Sequence, residues 1–379
     1  MDPFTPLFIL LFLFMLSVLV AAHEYGHFIV ARLFKMDVEE FAIGFGKPYW
    51  TYMRKKGTEY NLRPLPLGGF VRIKGMQPED DGSEVNIENG FYSKPPLARF
   101  LVLLAGPVFS ILAGLAILIP LHSMHGRKVL GTTIGSVKED TPAYAAGLRP
   151  NDRLTFIDGV PVLTMYDVMV NIRDKAGREV VIQADRAGTP LTIRVVPKLT
   201  AEPVPYAEDE FRESTRDRVQ ARIGMAPSLS QTVTLKVPIG QAVTDALMWP
   251  VDMVKGLVKT FMRPATIKDN MGGPVAIATQ SFAAAKDGWD TFVQLAALLS
   301  ISLGIFNLLP FGPLDGGQML MAFAEMLRRG KRLSIRVQAT FQGIGLLAVC
   351  GLIVTVLFAD ISRLTGGKPE KPNVEQKKP

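Results

Sequence analysis

Two histidines and a glutamate stand inside an apolar stretch near the start of the chain. His23 and His27 are four residues apart, so on a helix they share one face, with Glu24 beside them. The run His23 to His27 fits the H-E-x-x-H pattern, in which two imidazoles bind one zinc ion and the glutamate acts as a general base. A histidine pair on a helix can also be a hydrogen-bonded core feature. Ionisable residues at membrane depth are costly, which favours the metal interpretation.

A third ligand is expected far along the chain. A catalytic zinc ion takes three protein ligands and keeps its fourth position open. The chain has only four histidines, so a carboxylate is the expected third ligand. Asp315 follows an apolar segment and has Gly and Pro around it, so the backbone there can break and turn the carboxylate inward. An aspartate before two glycines can also mark a simple turn. Asp315 is therefore the candidate.

The elements that must hold these residues are segments long enough to cross a bilayer. Hydrophobic residues make up 48% of the 379 residues and charged residues only 20%. This composition is typical of a membrane protein with a water-exposed part. Candidate spans lie at 6–34, 100–121, 292–310 and about 343–358. The histidine motif lies near the end of the first span, and Asp315 follows the third.

Charge patterning predicts how the chain is oriented. Lys and Arg are frequent between the first and second spans and between the third and fourth, which predicts that these two loops are cytoplasmic. The N-terminus, the long insert and the C-terminal tail then lie outside, with the active site near the cytoplasmic side. The net charge of +7 fits topology and anionic lipid, because no basic globular domain with stacking aromatics is visible, and nucleic acid is not an expected partner.

Two features of the chain bear on processing and redox chemistry. The first five residues hold Asp2 and no basic residue, so a cleaved signal peptide is not expected. The single cysteine, Cys350, excludes an intramolecular disulfide and a Cys-rich zinc module.

A β region is predicted between the first two spans. Residues 59–73 alternate in hydrophobicity and are broken by Pro and Gly, which predicts hairpin pieces with an exposed edge. Such an edge can receive an extended substrate as an added strand. The candidate contacts are Leu67, Gly68, Gly69 and Phe70. A small sheet that only packs on the membrane face is the alternative.

The insert after the second span resembles a bacterial PDZ domain. The resemblance rests on Ile134 to Val137, Thr141 to Leu148, Asn151 to Leu154 and Ile157 to Gly159. PDZ domains bind extended peptide ends by strand addition. The binding loop is expected near 130–134, with Gly131, Thr132 and Ile134 as candidate contacts. A helical pattern follows at 239–261 and predicts an amphipathic helix on the outer membrane face, with ordinary packing as the alternative.

The motifs together resemble the site-2 protease family of intramembrane zinc metalloproteases, in its bacterial RseP-like branch. Asn307 to Gly317 resembles the family's N-x-x-P-x-x-x-L-D-G, and the PDZ-like insert lies between the two motifs. The resemblance implies that His23, His27 and Asp315 bind zinc and that Glu24 is the base. It also implies that Asn307 positions substrate or stabilises the oxyanion.

Two further segments carry implied roles. Residues 64–73 resemble the family's membrane-associated β-hairpin, and residues 272–275, including Gly273 and Pro274, resemble a substrate-contacting segment. Some members carry two PDZ domains in tandem, whereas only one is recognised here. The predicted segments are a first span (1–36), a β region and loop (37–98), a second span (99–122), a PDZ domain (127–198), a linker (199–238), an amphipathic helix with the substrate-contacting segment (239–290), a third span with the Asp315 motif (291–322), a loop with the fourth span (323–362) and a disordered tail (363–379).

The resemblance implies a multi-pass α-helical protein of the bacterial inner membrane with about four transmembrane helices, a β-hairpin region and one PDZ domain. Its implied activity is zinc-dependent hydrolysis within the transmembrane segment of a single-pass protein, after an earlier cut outside. Anti-sigma factors and remnant signal peptides are the family's substrate types. Expected partners are the transmembrane substrate, peptide or protein ends at the PDZ domain, and lipid. An inactive membrane-anchored PDZ adaptor and a transporter are the alternatives.

Overall fold

The computed structural model describes residues 5–47, 49–55, 57–77, 83–200, 220–228, 231–262 and 272–365. The chain divides into two compact units, one made from 1–119 and 243–379 and the other from 120–242. Most of the predicted tail lies outside the described residues, and so does the first half of the predicted linker. Four described helices are long and apolar enough to cross a membrane: Ile9–Leu33, Pro96–His125, Trp289–Asn307 and Ile335–Ser362. The chain therefore has the helices of a membrane protein, as its apolar segments predict.

Helices and strands alternate in blocks along the described chain. The helices are α1 (Thr5–Leu33), α2 (Pro96–His125), α3 (Pro142–Ala145), α4 (Met165–Ile172), α5 (Ile239–Met262), α6 (Pro274–Asp287), α7 (Trp289–Asn307), α8 (Asp315–Leu327) and α9 (Ile335–Thr365). The strands are β1 (Val38–Phe45), β2 (Trp50–Lys55), β3 (Thr58–Leu62), β4 (Leu65–Ile73), β5 (Arg127–Leu130), β6 (Ile134–Val137), β7 (Arg153–Ile157), β8 (Val160–Pro161), β9 (Val180–Arg186), β10 (Thr189–Val195), β11 (Lys198–Thr200), β12 (Gln220–Arg222), β13 (Met225–Pro227) and β14 (Thr232–Leu235).

Glycines let the long helices approach one another closely. A Cβ on Gly26 of α1 would lie 2.4 Å from the carbonyl oxygen of Ala105 on α2, and one on Gly304 of α7 would lie 2.6 Å from that of Pro107. Small residues allow such backbone contacts between spans, where lipid supplies little hydrophobic drive for helix association. Helix α2 therefore packs directly against both α1 and α7.

The predicted β region is a four-stranded sheet in the order β2-β3-β1-β4. Strand β1 pairs with β3 in parallel and with β4 in antiparallel orientation, and β2 and β3 form a hairpin. The prediction of a hairpin within 64–73 is wrong, because these residues form a single strand and β1 lies between β3 and β4. The predicted edge is present, since β4 ends the sheet and lies against α1.

The third predicted span ends earlier than the sequence suggested. Helix α7 ends at Asn307, and a new helix, α8, begins at Asp315. Pro310 and Pro313 lie between them, and proline both lacks a backbone donor and disfavours helical geometry in the residue before it. The chain breaks as predicted, but the boundary of 291–322 joins two helices. The fourth span is longer than its apolar run, because α9 covers 31 residues.

The amphipathic pattern after the insert forms α5, which continues through Pro250. Its Ala246 is fully buried, and Trp249, Met253 and Leu257 pack with residues of α2 and α7. Ordinary packing therefore accounts for one face of this helix. Leu247 and Val258 are about half exposed on α5.

The insert forms a unit of its own around a dense apolar core. Strands β10-β9-β7-β8 form its main sheet, and Ile134, Leu148 and Ile182 are fully buried. Asp152 is also fully buried, and its carboxylate accepts hydrogen bonds from Arg186 Nε at 2.7 Å and Nη2 at 2.8 Å. This bidentate pair supplies the buried carboxylate of the motif with charged hydrogen-bond donors.

The described end of the predicted linker belongs to the insert. Strand β12 pairs with β11, β13 with β6, and β14 with β5. The linker boundary of 199–238 is therefore corrected for residues 220–235. Short strands that pair with partners far away in sequence leave no local periodicity, so the pairing was invisible to sequence analysis.

Candidate metal centre

The two histidines of α1 and the aspartate that begins α8 converge on one point. The Nε2 atoms of His23 and His27 are 3.3 Å apart. Oδ2 of Asp315 lies 3.0 Å from His23 Nε2 and 3.3 Å from His27 Nε2. Both histidines are buried, and Asp315 is mostly so. The structure therefore brings together the three predicted ligands, although Asp315 is 292 positions from His23 in the chain.

Hydrogen bonds from α2 orient both imidazole rings. His27 Nδ1 lies 2.8 Å from the carbonyl oxygen of Val102, and because a carbonyl only accepts, this nitrogen carries the proton. When the ring is neutral, its lone pair is on Nε2, which is the tautomer that a metal ligand requires. His23 Nδ1 lies 2.9 Å from Ser110 Oγ. The Ser110 carbonyl accepts in turn from Ser300 Oγ at 2.8 Å.

Gly106 of α2 lies next to the Nε2 atoms of the two histidines. A Cβ at this position would be 2.2 Å from His27 Nε2 and 2.8 Å from His23 Nε2. Any side chain would therefore occupy the space between the ligating atoms. Sequence analysis missed Val102, Gly106 and Ser110, although the Gly106-Pro107 pair inside an apolar run is a signal that could have drawn attention to this helix.

This arrangement fits a zinc ion. The donor atoms lie within 4.8 Å of one another. Two imidazoles and one carboxylate are a donor set of catalytic zinc sites, which keep a fourth position for water or substrate. Hydrogen bonds to the outer ring nitrogens are the usual support of such ligands. The three donor atoms are already close enough to one another to bind a single ion.

We expect Ser110→Ala to weaken zinc binding about 10–100-fold, because outer-sphere partners of ligating histidines have effects of this size. The loss follows from freeing the His23 ring, whose Nδ1 contacts Ser110 Oγ. Competition with a chromogenic chelator measures the affinity. Ser17→Ala is the matched control, since Ser17 is also a serine of a long apolar helix and its Oγ donates to the Leu13 carbonyl of α1. Equal affinities in the two variants would contradict the role of Ser110.

Glu24 lies beside the edge strand of the sheet. Its carboxylate accepts a hydrogen bond from the Val71 backbone N–H of β4. Gly69 is close by, because a Cβ there would lie 3.7 Å from Glu24 Cγ. The same Cβ would be 2.7 Å from the Ala42 carbonyl of β1, so this position requires glycine. The predicted base and the predicted edge strand are thus neighbours.

The predicted substrate contacts of the sheet all lie in β4. Gly68 is buried, and Gly69 and Phe70 are half-buried. The Arg63 guanidinium stands 4.7 Å from the centre of the Phe70 ring. Leu67 belongs to the same strand. Their contact with a substrate stays a prediction.

Asn307 is the last residue of α7, and its Nδ2 donates to the Leu303 carbonyl at 2.9 Å. The described hydrogen bonds do not link Asn307 to the three converging residues. Its part in catalysis stays a prediction.

The predicted segment at Gly273 and Pro274 begins α6. Gly273 is the N-cap residue, and Asp360 of α9 accepts hydrogen bonds from the N–H groups of Gly273 at 3.2 Å and Ala276 at 2.9 Å. A Cβ on Gly273 would lie 2.7 Å from Asp360 Oδ2. A carboxylate from another helix therefore caps α6 and fixes this segment to α9.

The predicted peptide-binding loop of the insert is occupied by its own contacts. Gly131 N–H donates to the Gln231 carbonyl, and the Thr132 carbonyl accepts from Leu154 N–H. Ile134 is fully buried and its N–H donates to the Asp152 carbonyl. These groups serve the insert itself. The Ala221 N–H donates to the Arg173 carbonyl at the end of α4, so strand β12 lies beside that helix.

Comparisons with known proteins cover almost the whole chain. The family model described as Peptidase family M50 matches residues 11–352. A protein of Brucella suis named "Putative zinc metalloprotease" is 31% identical over 92% of this chain and 94% of its own. One of Clostridium perfringens with the same description is 32% identical over 94% of this chain and 98% of its own.

A solution structure from Geobacillus thermodenitrificans is 30% identical over 19% of this chain and 82% of its own, with a TM-score of 0.17. That score carries no argument about the fold.

Proposed function

The chain belongs to peptidase family M50, the family of the site-2 proteases, and we propose that it cleaves transmembrane segments of single-pass proteins. The family predicted from the motifs is thereby confirmed. The observation that carries the proposal is the convergence of three side chains: His23 and His27 lie within a helix long enough to span a membrane, and Asp315 lies just beyond the end of another. A hydrolytic site at this depth has a membrane-embedded peptide as its natural substrate.

Zinc is the cofactor of this family, and His23, His27 and Asp315 would hold it. When bound, zinc lowers the pKa of a water ligand toward about 7 and polarises a carbonyl group. Residues of α2 orient the ligands: Val102 and Ser110 contact the outer ring nitrogens of His27 and His23, and Gly106 leaves space next to their Nε2 atoms. These contacts orient the ligands before the substrate binds, so the site is preorganised.

Glu24 acts as the general base and acid. Its carboxylate takes the proton of the attacking water and returns it to the leaving nitrogen of the peptide. The hydrogen bond from Val71 N–H holds the carboxylate at the edge of β4, where an extended substrate would lie. Asn307 at the end of α7 is proposed to contact the substrate or the developing oxyanion once the substrate is in place.

The edge strand β4 addresses the second difficulty of intramembrane hydrolysis. A helical substrate hides its carbonyls in its own hydrogen bonds, so it must unwind locally before cleavage. Pairing with a strand edge replaces the lost hydrogen bonds. Leu67, Gly68, Gly69 and Phe70 lie in this strand, and the Gly273–Pro274 segment is proposed as a further contact.

The insert is proposed to be a PDZ domain that binds peptide or protein ends outside the membrane. The burial of Asp152 and its pairing with Arg186 support a well-packed domain built on that sequence motif. We place the protein in the bacterial inner membrane, with the N-terminus and insert outside and the metal site near the cytoplasmic side. Anti-sigma factors and remnant signal peptides, cut once outside, are the proposed substrates, in regulated intramembrane proteolysis.

Metal removal tests the proposed activity. The purified full chain, reconstituted in liposomes with a single-pass model substrate, should cleave it within the transmembrane segment. Dialysis against 1,10-phenanthroline should abolish cleavage, because the Lewis acid is lost, and stoichiometric zinc should restore it. Mass spectrometry of the fragments locates the cut. Cleavage that persists in the metal-free protein would refute zinc catalysis, and zinc-loaded protein that cleaves no single-pass substrate would favour an inactive adaptor.

A further inference from the structure

A buried ion pair joins α2 to α8 away from the metal centre. Arg99 Nη2 lies 2.6 Å from Glu325 Oε2, and the two side chains are only 5% and 2% exposed. Removing two charges from water is costly, and apolar residues of similar volume often serve stability as well or better. The pair therefore calls for an explanation other than stability.

The same two helices carry the surroundings of the metal site. Arg99 is one turn before Val102, whose carbonyl fixes His27, and two turns before Gly106. Glu325 is ten residues after Asp315 on α8. At 1.5 Å per residue the pair is thus about 10 Å along α2 from Gly106 and about 15 Å along α8 from Asp315. Helix α2 positions the histidines, and through Arg99 it also holds the helix that carries the aspartate.

Glu325 is held on its other side as well. Its Oε1 accepts a hydrogen bond from Leu333 N–H at 3.1 Å, and Gln338 Nε2 donates to the Leu333 carbonyl at 2.8 Å. The Arg99 guanidinium also stands over the Tyr92 ring, 5.1 Å from its centre. Both carboxylate oxygens of Glu325 are therefore engaged, which joins the C-terminal part of α8 to α2 and to the Leu333 backbone.

The beginning of α8 has weaker local support. Its N-cap residue, Leu314, makes no side-chain capping hydrogen bond. The glycines that follow Asp315 pack closely on the preceding turn, since a Cβ on Gly316 would lie 2.3 Å from the Leu308 carbonyl. This packing fixes α8 laterally against residues 308–312. Farther along α8, Met319 packs on the apolar cluster that includes Val102 and Leu103 of α2, and the ion pair adds a polar contact between the same two helices.

We propose that Arg99 and Glu325 are positioning residues for the metal site. Their ion pair sets the height of α8 along α2 and thereby keeps the Asp315 carboxylate within reach of the His23 and His27 nitrogens. The inference rests on the proposed zinc site. It adds a distant pair of residues on which the affinity of that site depends.

The test compares zinc affinity in variants that leave no unpaired buried charge. The double variant R99M/E325Q removes the ion pair while glutamine can still accept from Leu333 N–H, and the exchange R99E/E325R restores a pair of opposite polarity. The control is R54M/E59Q, which removes the pair Arg54–Glu59, whose side chains are 74% and 46% exposed. Zinc affinity is measured by chelator competition on full-length protein, and Co²⁺ absorption reports the ligand geometry.

The expected result is a 10- to 100-fold loss of zinc affinity in the folded R99M/E325Q protein, with an altered Co²⁺ spectrum. The exchange variant should recover part of the affinity, and the control should match the parent chain. Parental affinity and spectrum in a folded R99M/E325Q protein would overturn the proposal. If neither R99M/E325Q nor R99E/E325R folds, the proposal is also overturned, in favour of a purely structural role for the ion pair. If the parent chain itself binds no zinc, the proposed function fails instead.

Discussion

Replacement of Glu24 by glutamine is expected to lower the rate of peptide hydrolysis about 10²–10⁴-fold and to leave zinc bound. Glutamine has nearly the shape of glutamate and can keep a contact with Val71 N–H through its carbonyl oxygen, but it cannot take a proton from water. The ligating atoms belong to other residues, so the metal site should persist.

The measurement pairs cleavage of a single-pass substrate in liposomes with zinc content of the same sample. A useful control is Glu39→Gln in β1, a substitution of the same kind on another element of the β sheet. Cleavage at the parental rate by the Glu24→Gln protein would rule out this residue as the base. Loss of zinc together with activity would show instead that Glu24 supports the metal site.

Substitution of Gly106 by alanine is the second change with a large expected effect. The new methyl carbon would stand 2.2 Å from His27 Nε2, well inside van der Waals contact, and 2.8 Å from His23 Nε2. Either the rings turn away or α2 moves back from α1, and both changes separate the donor atoms. We expect zinc affinity to fall by about 100-fold or more, beyond the effect of losing one outer-sphere hydrogen bond.

Gly343→Ala provides the matched control for this substitution. Gly343 also lies within a long apolar helix, α9, and a Cβ there meets no atom within 4 Å. Alanine is the better helix former by roughly 0.5–1 kcal/mol, so this variant should fold and bind zinc at least as well as the parent chain. Chelator competition on both variants decides the matter. Equal affinity in the two would show that the site tolerates a side chain at Gly106.

The two substitutions separate an effect on catalysis from an effect on metal binding. Glu24 is expected to matter for turnover and not for metal retention, whereas Gly106 is expected to matter for metal retention first. Ser110 has a smaller effect of the second kind, because it orients one ring and does not fill the centre. Zinc content and cleavage rate together distinguish the three.

Much of the candidate site could be predicted from the sequence because its residues carry local signals. His23, Glu24 and His27 share one helix, so their spacing alone predicts their mutual position. Asp315 was recognised because ionisable residues are rare in apolar surroundings and because Gly and Pro break the chain around it. The four long apolar helices follow from composition in the same way.

The supporting residues carry no such signal. Val102 acts through its backbone carbonyl, Gly106 through the absence of a side chain, and Ser110 through one hydroxyl in an apolar helix. Their roles depend on which helix faces the histidines, and helix packing is a property of the folded chain. The Arg99–Glu325 pair is similar, because neither residue is unusual until both are seen to be buried together.

The β strands likewise combine features that the local sequence predicts with features that only the tertiary structure decides. Alternation and turn residues predicted strands between 59 and 73, but only the fold places β1 between β3 and β4 and leaves β4 at the edge beside Glu24. The sequence predicts a linker at 220–235 because the strands there are short and their partners β5, β6 and β11 are not adjacent in the chain. Local spacing determines which residue types can do chemistry, whereas long-range pairing and close helix contacts decide which of them meet.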